Sequence, residues 1–275
     1  MGADIKSLRI RIHSVDSTLH LTKAMGLVAS SKMRRANEAM LRSREYSEAV
    51  NASIRLLTSS KECLKSPYMR ASAQSGEGTA SPRTRLIVIA GDRGLAGGYN
   101  ANIFRTVREY PDAEIIPIGK RACDRFKGKF YSSEHFTPEE AFEMALALCE
   151  DFTKGEYDRL GIVSTKYVSI MTQEAHVKWL LPLSAENAIE NTGGVIFEPD
   201  EMRVLKTAVP IYVSGMLIAA VRESFACEVA ARRMAMDSAG RNAEEMINSL
   251  QLEYNRARQG AITQEITEIV AGSGM

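Results

Sequence analysis

Few residue groupings in this chain of 275 residues are of the types that do chemistry. The most suggestive is GDRGLAGG (91–98), a glycine turn after an apolar run and before a helical one, where phosphate-binding loops sit. Its spacing is neither G-x-G-x-x-G nor G-x-x-x-x-G-K-[ST]. No lysine followed by Ser or Thr stands ready for phosphates and magnesium, and the next strand closes on Pro117 and Gly119 with no acidic residue for a ribose. The turn reads better as a tight strand-to-helix connection in which Asp92 or Arg93 meets a partner. Histidines 13, 20, 135 and 176 lack metal spacing. Cysteines 63, 123, 149 and 227 form no C-x-x-C pair or disulfide framework, which suits a reducing compartment. Ser164–Thr165 and Glu139–Glu140 have no nucleophilic or acid–base company. The expectation is no catalytic residue, no cofactor site and no metal site.

The elements that position these residues are of two kinds. Residues 3–60 contain no proline and one glycine, Gly26, and Ile5, Leu8, Ile12, Val15, Leu19 and Thr22 step by three and four as a heptad seam. Leu21, Met25, Val28, Ala36 and Ala39 extend it as a thinner stripe. Near the other end Pro210 suits a helix's first turn, and no proline follows it. Met236, Ala239, Ala243, Met246, Ile247, Leu250, Tyr254, Ala257 and Ala261 form a second seam rich in small residues, open to close approach by another helix. A helix of roughly 60 residues is about 90 Å long, whereas a globule of this size is near 50 Å across. Two long helices paired antiparallel are therefore expected. The alternative is a bundle of shorter helices broken at Gly26, Gly215 or Gly240.

The middle of the chain alternates strand and helix. SPYMRASAQSGEGTASPRTR (66–85) reads as a mobile linker. RLIVIAGDRGLAGGYNANIFRTVREY, AEIIPIG, KRACDRFKG and PEEAFEMALALCEDFTKG then give strand, helix, strand, helix and helix. DRLGIVSTKYVSIMTQEAHVKWLLPL holds two strands around a turn near Lys166. The alternation predicts a parallel, Rossmann-like sheet. The reading is an α/β chain: a helix over 1–60, a linker over 61–84, a Rossmann-like α/β domain over 85–209 and a helix over 210–275.

A net charge of +1 gives no global push toward nucleic acid or anionic lipid. The first helix is locally basic (Lys6, Arg9, Arg11, Lys23, Lys32, Arg34, Arg35, Arg42, Arg44), but no aromatics are interleaved for base stacking. No apolar run approaches the ~18 residues of a membrane helix, and the N-terminus lacks a secretory pattern. A soluble, intracellular protein without direct membrane insertion is expected. YNRARQGAITQEITEIV (254–270) stands out, because it is helical in composition yet mostly polar or small around its circumference.

Three blocks carry a resemblance over nearly the whole chain: LTKAMGLVASSKMRRANEAM, GDRGLAGGYNANIF and EVAARRMAMDSAGRNAEEMINSLQLEYNRARQGAITQEITEIV. Together they resemble the gamma subunits of F-type ATP synthases. The resemblance implies that both terminal helices wind into an antiparallel coiled coil standing inside a ring of three alpha and three beta subunits. The Rossmann-like part would form a foot touching epsilon and the c-ring of the membrane sector, and the chemistry would belong to beta. Arg258, Gln259 and Thr263 would be a polar catch toward the ring, and Met25 with Lys23 would pass the acidic lever loop of beta. Gly26 departs from the bulkier residue common there. No inserted cysteine segment of the chloroplast type is present, and the lack of a transit peptide favours the cytoplasmic face of a bacterial membrane. The rival readings are a Rossmann-type enzyme, which would bind nucleotide, and a coiled-coil nucleic-acid binder, whose binding would fall steeply with salt.

Overall fold

The computed structural model describes residues 2–60, 62–69, 82–184 and 197–273. The helix α1 spans Gly2–Leu57 and the last helix, α5, spans Glu201–Ser273, both unbroken. The bundle of shorter helices is thereby set aside. The reason lies at the glycines. A Cβ on Gly26 would stand 3.7 Å from that of Met236, one on Gly240 would meet Thr22 and Leu19, and one on Gly215 would come within 3.0 Å of the Tyr46 ring. Gly215 admits a close approach of Tyr46, whereas at Gly26 and Gly240 a Cβ would make only ordinary contacts, and the glycine cost of about 1 kcal/mol is too small to break a helix packed along its length.

Between the long helices lie β1 (Thr84–Ile89), α2 (Tyr99–Val107), β2 (Glu114–Ile118), α3 (Lys120–Phe126), α4 (Pro138–Lys154), β3 (Arg159–Tyr167) and β4 (Gln173–Leu181). The sheet order is β2-β1-β3-β4, with β1 parallel to β2 and β3, and β4 antiparallel to β3. The sheet is therefore mixed, with an antiparallel edge. β3 runs through Lys166 to Tyr167, and the hairpin turns over residues 168–172 instead of near Lys166.

Two compact units emerge, residues Met1–Ser31 with Arg232–Met275, and Lys32–Ala231. Each long helix contributes to both, so the expected borders at residues 60 and 210 do not divide the chain. In the first unit Leu19, Thr22, Ala29, Met236, Ala243 and Leu250 are buried. Arg9 donates to the Tyr254 hydroxyl at 3.0 Å, Lys23 lies 2.7 Å from Glu244, and Gly26 faces Met236. Partners descend along α5 as they ascend along α1, which is the signature of an antiparallel pair. The predicted seam holds with three exceptions: Leu21, Val28 and Met246 are exposed, and Ala29, Met33 and Met40 carry the stripe instead.

In the second unit both sheet faces are covered. Ile87, Ile89, Leu160 and Ile162 pack with α4 and the first half of α5, while Leu86, Val88 and Val163 pack with Ile103 and Val107 of α2. Alternate residues point to opposite faces, so a strand buried on both sides reads as an unbroken apolar run. α5 begins nine residues ahead of Pro210, because Asp200 caps it: the Asp200 carboxylate accepts from the Arg203 amide at 2.9 Å. Fully buried Leu205 and Val209 hold this first turn on the core, and the helix carries Pro210 in its interior. An 18-residue window of α5 has a mean hydropathy of 1.8, long and apolar enough for a membrane span. This corrects the sequence reading. Its apolar side is occupied by the sheet, since Leu205, Val213, Leu217 and Val221 are at most 2% exposed. The expected linker is also shorter than drawn: residues Cys63–Lys65 and Pro67–Met69 form 3-10 turns, and Cys63, Ser66 and Tyr68 are buried. The rest of it, residues 70–81, lies outside the described residues.

Candidate functional site

β1 delivers Ala90 and Gly91 to the carboxyl edge of the sheet, between β2 and β3, where the strand order reverses. Open α/β sheets bind their ligands in that crevice. Here the chain's own α5 occupies it. The Tyr99 hydroxyl donates to the Ser224 carbonyl at 3.0 Å, and the Ser224 hydroxyl accepts from the Thr165 amide at 3.2 Å. The Cys227 thiol lies 3.5 Å from the Thr165 carbonyl. A Cβ on Gly91 would meet the carboxyl carbon of buried Glu228 at 2.7 Å. A side chain at 91 would displace the Glu228 carboxylate, which sits against the Gly91 backbone and fills this part of the crevice. Burial first, then Glu228 and Cys227 nearby, holds the Tyr99 phenol well above its ordinary pKa, so it remains a donor.

Asp92, predicted to meet a partner, is turned inward. Its carboxylate accepts from the Lys120 amide at 3.0 Å, the Ser133 and Glu134 amides at 3.2 Å each, and the Ser132 hydroxyl at 2.7 Å. Burial acts to raise its pKa, but the hydrogen bonds from Ser132, Lys120, Glu134 and Ser133 outweigh burial and hold it below the ordinary value. Asp92 thus fixes α3's first residue and the loop before α4. Gly119, at φ +90, makes the approach possible, since a Cβ there would stand 1.9 Å from the Ala90 carbonyl oxygen. Arg93 is the outward member of the pair, with a side chain 68% exposed and 3.9 Å from Glu134, whose carboxylate also binds Lys32.

In the helical unit Lys23 is tied to Glu244, both about half exposed, and Met25 is half-buried beside the seam. Arg258, Gln259 and Thr263 lie on exposed α5, and the Thr263 hydroxyl bonds only the Gln259 carbonyl one turn back. From Gln251 to Ser273 no residue is buried, and a Cβ on Gly260 would meet nothing within 4 Å. Ile262, Ile266, Ile269 and Val270 form an exposed apolar stripe at helical spacing, 43–70% exposed. Sequence reading missed this stripe because the surrounding Thr, Gln and Glu dominate the composition. It also missed Ser224, Cys227 and Glu228, whose roles depend on contacts with residues distant in sequence, although their place in a block rich in small residues hinted at close packing. Among the described residues no cluster of His, Cys, Asp or Glu could hold a metal.

Comparison with known proteins gives one answer over the whole length. The family model described as "ATP synthase" matches residues 4–274. The chain is 37% identical to the "ATP synthase gamma chain, sodium ion specific" of Acetobacterium woodii, covering 99% of each protein. It is 38% identical to the "ATP synthase gamma chain" of Ruminococcus albus, covering 98% of each. The fold resembles a chain in the Euglena gracilis mitochondrial ATP synthase, OSCP/F1/c-ring, with a TM-score of 0.67, 20% identity, and coverage of 99% of this chain and 94% of that one.

Proposed function

This chain belongs to the gamma-chain family of ATP synthases, and from that premise we propose how its parts divide the work of a rotary shaft. It is the non-catalytic central stalk, and synthesis or hydrolysis of ATP takes place on the beta subunits. The helical unit stands in the ring of alpha and beta subunits. The sheet unit meets epsilon and the c-ring, so the protein is peripheral to the membrane, on the cytoplasmic face in a bacterium. Ion-driven rotation of the c-ring turns the shaft, which acts as a ligand with different affinity for each state of beta.

The observation that carries this reading is the end of α5. A helix continuous for 73 residues leaves its last turns exposed on every side, so nothing among the described residues supports them. Isolated helices in water are marginal, and tertiary packing supplies most of their stability. The surrounding sleeve must supply it here, through the stripe of Ile262, Ile266, Ile269 and Val270 and the polar Arg258, Gln259 and Thr263. Lys23, Met25 and Arg93 are further partner contacts, with Asp92 holding the loop that presents Arg93. A Rossmann-type enzyme is disfavoured because α5 fills its crevice. The test is co-expression with alpha and beta subunits, followed by an ATP-driven rotation assay with a probe on the sheet unit. A ring that holds the chain and turns it is expected. A chain that fails to join the ring, or stays still during hydrolysis, overturns the reading.

A further inference from the structure

A cavity of about 490 Å³ lies within the sheet unit between β3, β4 and the two long helices. β4 is the edge strand, and its residues 176 and 178 face the same side as Ser164 and Lys166 of β3, given the register Ser164↔His176 and Lys166↔Glu174. Met40, Met216, Val177, Ala219 and Ala220 supply apolar walls. The charged lining is unequal. Arg44 is matched by Glu223 at 3.0 Å, and Glu223 also accepts from the Tyr167 amide. Lys166 and Lys178 have no carboxylate within ion-pair distance among the described residues, and Glu48 is the one other acid in the lining. His176 lines the same space, and its Nδ1 is buried without a hydrogen-bond partner. Partial burial pulls Lys178 below the ordinary lysine pKa, against the attraction of Glu223 and Glu48.

We infer that this cleft binds a small anion of the phosphate or phosphate-ester class, held by Lys166, Lys178 and His176. Pockets for small ligands combine apolar walls with a few convergent polar groups at volumes of roughly 300–1,000 Å³. Two ammonium groups with no carboxylate at ion-pair distance, together with Arg44 and against Glu48 and Glu223, leave the lining net positive, and a buried ring nitrogen without a partner among the described residues is an unmet hydrogen-bond requirement. A phosphate oxygen satisfies both, the imidazole turning slightly about its Cβ–Cγ bond to reach it. A protein carboxylate would suit the lysines but leave most of the cleft empty. The inference does not depend on the rotary reading.

The test uses the full chain and inorganic pyrophosphate as probe, with binding followed by nuclear magnetic resonance of the histidine ring protons. The chain has only four histidines, so His176 is assigned with His176→Gln. A saturable shift of the His176 signal is expected. It should weaken at least about tenfold in Lys166→Gln with Lys178→Gln, since each contact is charge-assisted. Ala219→Met, which fills the cleft without altering charge, should abolish it. Circular dichroism checks that both variants are folded. A shift that does not saturate, or that survives both variants, overturns the inference. So does a cleft that becomes closed to pyrophosphate and protected from hydrogen exchange when the chain joins its complex, because the occupant is then a protein surface.

Discussion

The two ends of α5 are built from one continuous helix and behave as opposites. Near its start, Leu205, Val209, Val213 and Leu217 are fully buried, and Tyr99, Thr165 and Gly91 lock Ser224, Cys227 and Glu228 in place. Near its end, Ile262, Ile266, Ile269 and Val270 face solvent, and nothing stands within 4 Å of a Cβ on Gly260. Helix propensity does not distinguish them, since the buried end carries Pro210 and Gly215 and the exposed end carries Gly260, Thr263 and Thr267. The lesson is that the interior specifies where the helix begins and what it grips. The far end is left to be specified by a partner.

Hydrogen exchange of the free chain should break or sharpen this contrast most strongly. Amides over residues 205–221 should open only with the whole unit, and so exchange at least about 10³-fold slower than an unstructured chain. Amides beyond residue 260 should exchange within about tenfold of the unstructured rate, and gain protection once the ring is assembled. Strong protection over 262–273 in the free chain would mean the far end is self-supporting.

Single deletions of core volume probe the same contrast at lower energy. Leu217→Ala opens a cavity in a fully packed site and should cost about 2–5 kcal/mol. Ile266→Ala removes a side chain already 56% exposed and should change the free chain by no more than about 0.5 kcal/mol. Urea unfolding reads both. Trp179, the only tryptophan, reports on the sheet unit through its place over Arg159 and beside Tyr110, and circular dichroism reports the exposed helix. Equal losses from the two changes would erase the distinction.

Asp92 tests whether the glycine turn is an internal brace. Asp92→Asn keeps the shape but leaves some of the four donors unmatched, which should cost about 1–3 kcal/mol, nearer the low end because the loop is partly solvated. The folded pKa lies below the ordinary 3.8, so the carboxylate's stabilisation is present above that value and is lost as pH falls through the folded pKa. The gap between the two proteins should therefore be constant near neutrality and narrow in acid below pH 3.8, measured by urea unfolding across pH. A constant gap down through that range would mean the hydrogen bonds do not depend on the charge.

What was legible in the sequence follows from the range of the signals. Seams repeating every three or four residues are local, so the antiparallel helices and positions such as Leu19, Thr22, Ala243 and Leu250 could be read directly. The same held for the apolar runs that became β1, β2 and β3. Pro210 misled because a proline usually marks a first turn, whereas Asp200 and two buried side chains set the true start. Leu21 and Val28 misled because a seam drifts along a straight helix, moving apolar residues off the contact face. At the glycine turn, spacing argued against a nucleotide loop, but no local pattern could show that Glu228 would occupy the crevice, or that Asp92 would face inward and Arg93 outward.

The smallest effect on the chain itself should come from Arg258→Ala combined with Gln259→Ala. Neither side chain has a hydrogen bond or ion pair among the described residues, and the Thr263 hydroxyl uses the Gln259 carbonyl, which the change keeps. Alanine is the best helix former, so the free chain should stay within about 0.5 kcal/mol of its parent. In the assembled complex the expectation differs in kind. A polar catch acts by binding some rotary positions better than others, and losing one charge-assisted contact of about 1.5 kcal/mol should slow turnover by about tenfold. Truncation after Val270 keeps Arg258, Gln259 and the whole apolar stripe, so it should slow turnover less. Both variants are reconstituted, and ATP hydrolysis is compared with rotation of a probe on the sheet unit. A truncation more damaging than the double substitution would move the grip to the last turns of α5. An unchanged turnover in the double variant would leave the apolar stripe and Thr263 as the features by which the ring holds this end.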